Sequence, residues 1–189
     1  MMKIIPIITL LIFFCCSQNP TIKNDNSLNS ETKKFHSLLD HEWKKNVEEY
    51  PEWATQLGDN RFNDKLNDAS YGKVIQRQNK TRKLLERIKD IDRSALSVED
   101  QLNYDLFLND VIHGIAGFEF LSYLIPISQM GGLQISFAGI SNYMPFKTIK
   151  DHENYIARMK AFPKKLDQVI DRMKRGLEAG WIPPKIVLD

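Results

Sequence analysis

From Ser30 to Gly180 the apolar residues recur every three or four positions, and runs that alternate apolar with polar are nearly absent. That spacing collects them on one side of a 3.6-residue helix and leaves no strand a face to bury. The chain is therefore expected to be mostly α, a multi-helix array. Proline, glycine and capping residues divide it. Ser30 opens a segment with Phe35, Leu38, Leu39 and Val47 on its apolar side, ending at Tyr50. Pro51 interrupts that helix and suits the first position of a short one carrying Trp53, Ala54 and Leu57, with Gly58 at its exit. Residues 59–69, rich in Asn and Asp, read as a loop.

A longer helix follows Ser70, with Tyr71, Val74, Ile75, Leu84, Leu85, Ile88 and Ile91 at helical spacing and a polar interruption at Gln78. Its basic side, Lys73, Arg77, Lys80, Lys83 and Arg87, reads as a solvated face, because Glu86, Asp90 and Asp92 interleave and no aromatic platform accompanies it. Ser97 and Asp100 resemble a capping box before Leu102, Leu106, Phe107, Val111, Ile112, Ile115 and Phe118, in a helix that Gly114 and Gly117 either weaken or pack closely. Residues 125–145, punctuated by Pro126, Gly131, Gly132, Gly139 and Pro145, predict an irregular or partly extended crossing. Thr148 with Asp151 opens another helix, whose Ile149, Tyr155, Ile156, Met159 and Phe162 share a face. Pro163 is expected to restart it, and Leu166, Val169, Ile170, Met173 and Leu177 continue the stripe to a C-cap at Gly180.

With 189 residues, 42% of them hydrophobic and 26% charged, the chain can bury a core, which excludes collagen-like and wholly disordered classes. Lys and Arg number 26 against 24 Asp and Glu, a balance that gives no support to a nucleic-acid partner. Cys15 and Cys16 are adjacent, so neither a disulfide framework nor a thiolate zinc cluster can be built. Lys3 and the apolar segment Ile4 to Phe14 match a bacterial secretory signal and are too short to span a bilayer. A cysteine between that segment and an Asn/Ser-rich stretch resembles a lipoprotein signal, with Cys16 the acylated residue; an ordinary cleaved signal and an uncleaved anchor are the alternatives. The expected organisation is a signal peptide over 1–15, a flexible tether over 16–30 and a helical domain over 31–189. Its location would be the bacterial cell envelope, with the membrane held through the lipid anchor.

Two His-Glu pairs invite a zinc reading, since helical zinc hydrolases place two histidines one turn apart with a glutamate base between them. His41-Glu42 has Lys45 at the second ligand position and His152-Glu153 has Ile156, so both fail. His36 and His41 stand about 140° apart around a helix and cannot share an ion. His113 reads as an interhelical histidine. Gly139-Ile140-Ser141-Asn142-Tyr143 begins like a nucleophile elbow but has Tyr143 where the second glycine belongs. Gly131-Gly132 lacks phosphate-cradle spacing, and Glu48-Glu49 and Glu99-Asp100 point apart on helices. No catalytic, cofactor-binding or metal residue is assigned within the chain.

The stretch Tyr50-Pro51-Glu52-Trp53-Ala54-Thr55-Gln56-Leu57-Gly58-Asp59 resembles a signature of bacterial domain-of-unknown-function family 885. The resemblance continues in order through Ile91-Asp92, Leu96-Ser97, Asn103-Tyr104-Asp105, Pro126 to Gly132, Asn154-Tyr155, Ala157-Arg158, Phe162-Pro163 and Gly176-Leu177-Glu178-Ala179-Gly180, with Pro183-Pro184 after it. It covers about residues 35–189. It implies a longer, largely helical parent resembling zinc carboxypeptidases, with zinc held by a His-Glu motif in the C-terminal half and a peptide as substrate. This chain is expected to be the N-terminal fragment of such a lipid-anchored peptidase, inactive alone and truncated at its C-terminus, where the apolar run 185–189 begins. Ser128, Gln129, Gly131 and Gly132 are the candidate substrate-cleft segment. The alternative is a non-enzymatic helical envelope lipoprotein that binds a partner or ligand.

Overall fold

The computed structural model describes residues 29–185; the signal segment, Cys16 and residues 186–189 lie outside them. Among the described residues there are six α-helices and no strand: α1 Ser30–Glu49, α2 Pro51–Gln56, α3 Tyr71–Lys89, α4 Val98–Gly117, α5 Leu133–Gly139 and α6 Ile149–Glu178. Each long helix begins on a side-chain cap. The side chains of Asn29, Ser70, Ser97 and Thr148 accept from the backbone N–H three residues on, satisfying one of the donors a helix start leaves free. Ser30, the last residue of the expected tether, is the first of α1, and Asn29 caps it. Only Thr148 completes its box, with Asp151 returning a bond to the Thr148 N–H at 2.8 Å. Asp100 instead directs its carboxylate to Nε2 of His36, 2.9 Å away.

Two apolar cores follow from the periodicity. Phe35 and Leu38 of α1, Ile88 of α3, Ile91, Leu96, and Tyr104 and Val111 of α4 form the first. Ala69, Leu133 of α5 and Val169 of α6 form the second, with Phe137, Phe162 and Leu166 packed against it. Phe137 stacks on Phe162 at a centroid distance of 4.0 Å.

Four expectations change. Helix α6 is one helix of 30 residues that runs through Pro163 rather than restarting there. Pro163 and Met159, the residue whose carbonyl loses its helical donor, are both exposed, while Phe162, Leu166 and Val169 hold both halves to the second core. The 125–145 crossing is irregular over 125–132 and 143–147, as expected, but α5 and one 3₁₀ turn (Ile140–Asn142) fill its middle. Close packing falls on Gly176, not Gly114 or Gly117. A Cβ on Gly176 would lie 2.8 Å from the Leu124 carbonyl oxygen and 2.9 Å from that of Trp181, whereas Gly114 and Gly117 face open space. And the basic side of α3 is not simply solvated: Arg77 and Lys73 pair with Glu49 of α1, at 2.8 and 3.2 Å, and Arg87 pairs with Glu42 at 3.0 Å.

Candidate functional site

Helix α2 is only six residues long, too short to hold itself, and it is fixed by a side chain from the other end of the sequence. Arg158 of α6 is 0% exposed. Its guanidinium donates to the carbonyls of Lys65 (2.8 Å), Pro51 (3.1 Å) and Phe62 (3.2 Å), to Thr55 Oγ1 (2.7 Å) and to Met144 Sδ (3.2 Å). Every acceptor is neutral. Burial pushes the Arg158 pKa down, and the more distant charges of Glu52 and Asp64 oppose that shift. One arginine therefore ties both ends of α2 and the following loop to α6. Lys165, two turns on, pairs with Glu52 of α2; Gln168 accepts from the Ala69 N–H and Arg172 donates to the Ala69 and Tyr123 carbonyls.

Pinned in this way, α2 faces α5 across a cleft of about 250 Å³. Tyr50, Trp53 and Phe137 supply aromatic wall, Leu133 and Ile140 aliphatic wall, and the Glu52–Lys165 pair a charged side. Asn67, also on the wall, carries a buried Oδ1 with no hydrogen-bond partner. The chemistry available is a small, largely apolar slot bordered by fixed donors and acceptors.

The segment singled out in the sequence lies just before α5. Ser128 closes a tight turn: its Oγ accepts from the Met130 and Gly131 N–H groups at 3.3 and 3.1 Å, and its own N–H donates to the Gly131 carbonyl at 2.8 Å. Gly132 adopts φ 141°, a region that side chains avoid, and starts α5. Ser128 and Gln129 are exposed; none of Ser128, Gln129, Gly131 and Gly132 lines the cleft, which takes Leu133, Ser136 and Phe137 from the helix they launch. Sequence reasoning missed Arg158, Glu52 and Lys165 as a group, because they come together only through the fold.

A second depression, between α1, α3 and α4, is lined by Glu42, Glu49 and Arg77 and by the exposed His113, which is not the interhelical histidine expected. Both carboxylates are already neutralised: Glu42 by Lys45 (2.7 Å) and Arg87, Glu49 by Arg77 and Lys73. Burial raises the Glu49 carboxyl pKa, but Arg77 and Lys73 together more than reverse this and hold it below its ordinary range. A carboxyl lowered on folding adds stability that is complete above the unfolded value, about 4.3, and that is lost as pH falls through the folded one. Acidification below about pH 4 is expected to lower the melting temperature. Glu49→Gln should flatten that fall, as followed by circular dichroism; an unchanged pH profile would remove the assignment.

A family model described as "Bacterial protein of unknown function (DUF885)" matches residues 51–189. The chain belongs to this family. The DUF885 match begins at Pro51, so α1 precedes it, and α2, the Arg158 pin and every cleft residue but Tyr50 lie inside it. The family-like pieces have visible structural tasks. Arg93 grips Asp105 with bonds of 2.7 and 2.6 Å, Asp92 accepts from the Ser94 N–H, and Gly180 with Trp181 closes α6 by bonds to the Leu177 and Gly176 carbonyls. No curated protein and no solved structure gives a significant match.

Zinc chemistry of the kind the resemblance implies needs three or four side-chain ligands converging on one point. Among the described residues no three His, Cys, Asp or Glu side chains converge on one point. His36 is held by Asp100, His152 Nδ1 lies 2.9 Å from the Thr148 carbonyl, and the Glu42 beside His41 is taken by two cations. These donors do not fit a zinc centre.

Proposed function

We propose that this DUF885 chain is the peptide-binding wall of a lipid-anchored, carboxypeptidase-like zinc peptidase of the bacterial envelope, with zinc held by residues other than 29–185. The cleft between α2 and α5 carries this reading. It is lined by aromatic and aliphatic side chains, it is bordered by the Glu52–Lys165 pair, and it is small enough to be filled by one side chain. An apolar residue of an extended peptide would enter between Trp53 and Phe137. Ser136 and Gln56, on the same rim, offer a hydroxyl and an amide to the peptide backbone. Cys16 would supply the membrane anchor.

The test is a titration of the mature chain with an unstructured peptide rich in Leu and Phe, followed by tryptophan fluorescence. A saturable change that disappears in Trp53→Phe supports the reading; an equal response in the variant refutes it. The second reading, a non-enzymatic lipoprotein that binds another macromolecule, draws its support from the exposed apolar residues of α6 rather than from the cleft.

A further inference from the structure

Ile149, Ile156, Met159, Ile170, Met173 and Leu177 of α6 all stand exposed, from 81% at Ile149 to 39% at Ile170. They are not scattered. Ile149, Ile156, Pro163, Ile170 and Leu177 are spaced by seven, and Met159, Leu166 and Met173 form a second series spaced by seven, three residues behind. Alternating steps of three and four make the seam by which one helix packs along another at a shallow left-handed angle. On one side the seam runs into the helix's own packing face, Phe162 and Val169, and Leu166 lies between the two, half-buried against that core. On the other it is bordered by Glu153, Lys160, Asp167 and Lys174, again at intervals of seven.

We propose that this seam is a self-association site, α6 of one copy lying antiparallel along α6 of a second. The border charges select both direction and register. In an antiparallel pair the charged borders face each other. The register that sets Ile156 opposite Met173 and Ile170 opposite Met159 also sets Glu153 opposite Lys174 and Lys160 opposite Asp167 of the second copy. All facing charges are then opposite in sign. A slip of one heptad in one direction sets Lys160 on Lys160 and Glu153 on Asp167; in the other it sets Asp167 on Asp167 and Lys160 on Lys174. A parallel pair would face the charges with Phe162 and Val169 and gain no ion pair. One arrangement satisfies the helix, and it needs only a second copy of the same surface.

The test is sedimentation equilibrium of the mature chain with a charge-swap cycle. The wild type should sediment as a dimer at micromolar concentration. Lys160→Asp and Asp167→Lys, each placing like charges together at two symmetry-related points, should each weaken the dimer roughly tenfold, and the double variant should restore it. Ile156→Glu should give a monomer with unchanged helical circular dichroism. A wild-type monomer at every concentration would assign the seam to the chain's remaining residues or to a different protein and overturn the proposal. So would a double variant as weak as the single ones.

Discussion

Arg158→Met is expected to lower stability by about 4 kcal/mol. The substitution keeps the volume and flexibility of an apolar filler but removes the donor from four oxygen acceptors, of which the Pro51 carbonyl and Thr55 hydroxyl are buried and the Lys65 and Phe62 carbonyls half-buried. Each hydrogen bond lost to the charged guanidinium costs roughly 1.5–3 kcal/mol, offset in part because a buried charge is removed with it. Against a total stability of about 5–15 kcal/mol this is a large fraction. For a chain of this size it corresponds to a fall in melting temperature of about 12 °C. Arg158→Lys should recover little, because a single ammonium cannot span acceptors on both ends of α2. Chemical denaturation of both variants checks this; a midpoint within error of the wild type would show that α2 is held by something else.

Gly176→Val is expected to cost about 3 kcal/mol. Its first added carbon meets two backbone oxygens, those of Leu124 and Trp181, and backbone cannot turn aside as a long side chain can. The 3₁₀ turn at Ser122–Leu124 would have to lift off α6, taking Leu124, 6% exposed, out of its packing. Gly114→Ala provides the contrast. That glycine lies inside α4 with nothing near the position of a Cβ, so alanine should stabilise by about 0.5–1 kcal/mol through helix propensity alone. Thermal melts of the two variants should move in opposite directions. Movement in the same direction would contradict the packing described for Gly176.

The helices were legible because their signals are local. Ser70, Ser97 and Thr148 each precede an apolar period, Pro51 sits where α2 begins, and Gly180 ends α6 at φ 69°. What periodicity does not carry is which apolar residues become covered. On α6 the sequence grouped Ile149 and Ile156 with Tyr155 and Phe162 as one face, yet Ile149 and Ile156 face outward. The side turned towards the loop before α3 is polar, built from Arg158, Gln168 and Arg172. A buried arginine is rare enough that composition argues against it, and only its five acceptors, up to 107 residues away in sequence, make the burial affordable. The cleft was invisible for the same reason: Glu52 and Lys165 are 113 residues apart. The 128–132 turn drew notice for its glycines, and its task is to launch α5, whose side chains form the wall.

The proposed function requires that an extended peptide be gripped between α2 and α5. Photo-crosslinking of a benzophenone-bearing apolar peptide to the mature chain, mapped by mass spectrometry, tests this most directly. Attachment at Trp53, Gln56, Ser136 or Phe137, competed away by the same peptide without the label, is the predicted result. Labelling confined to the α6 seam, or to residues far from either helix, would contradict it.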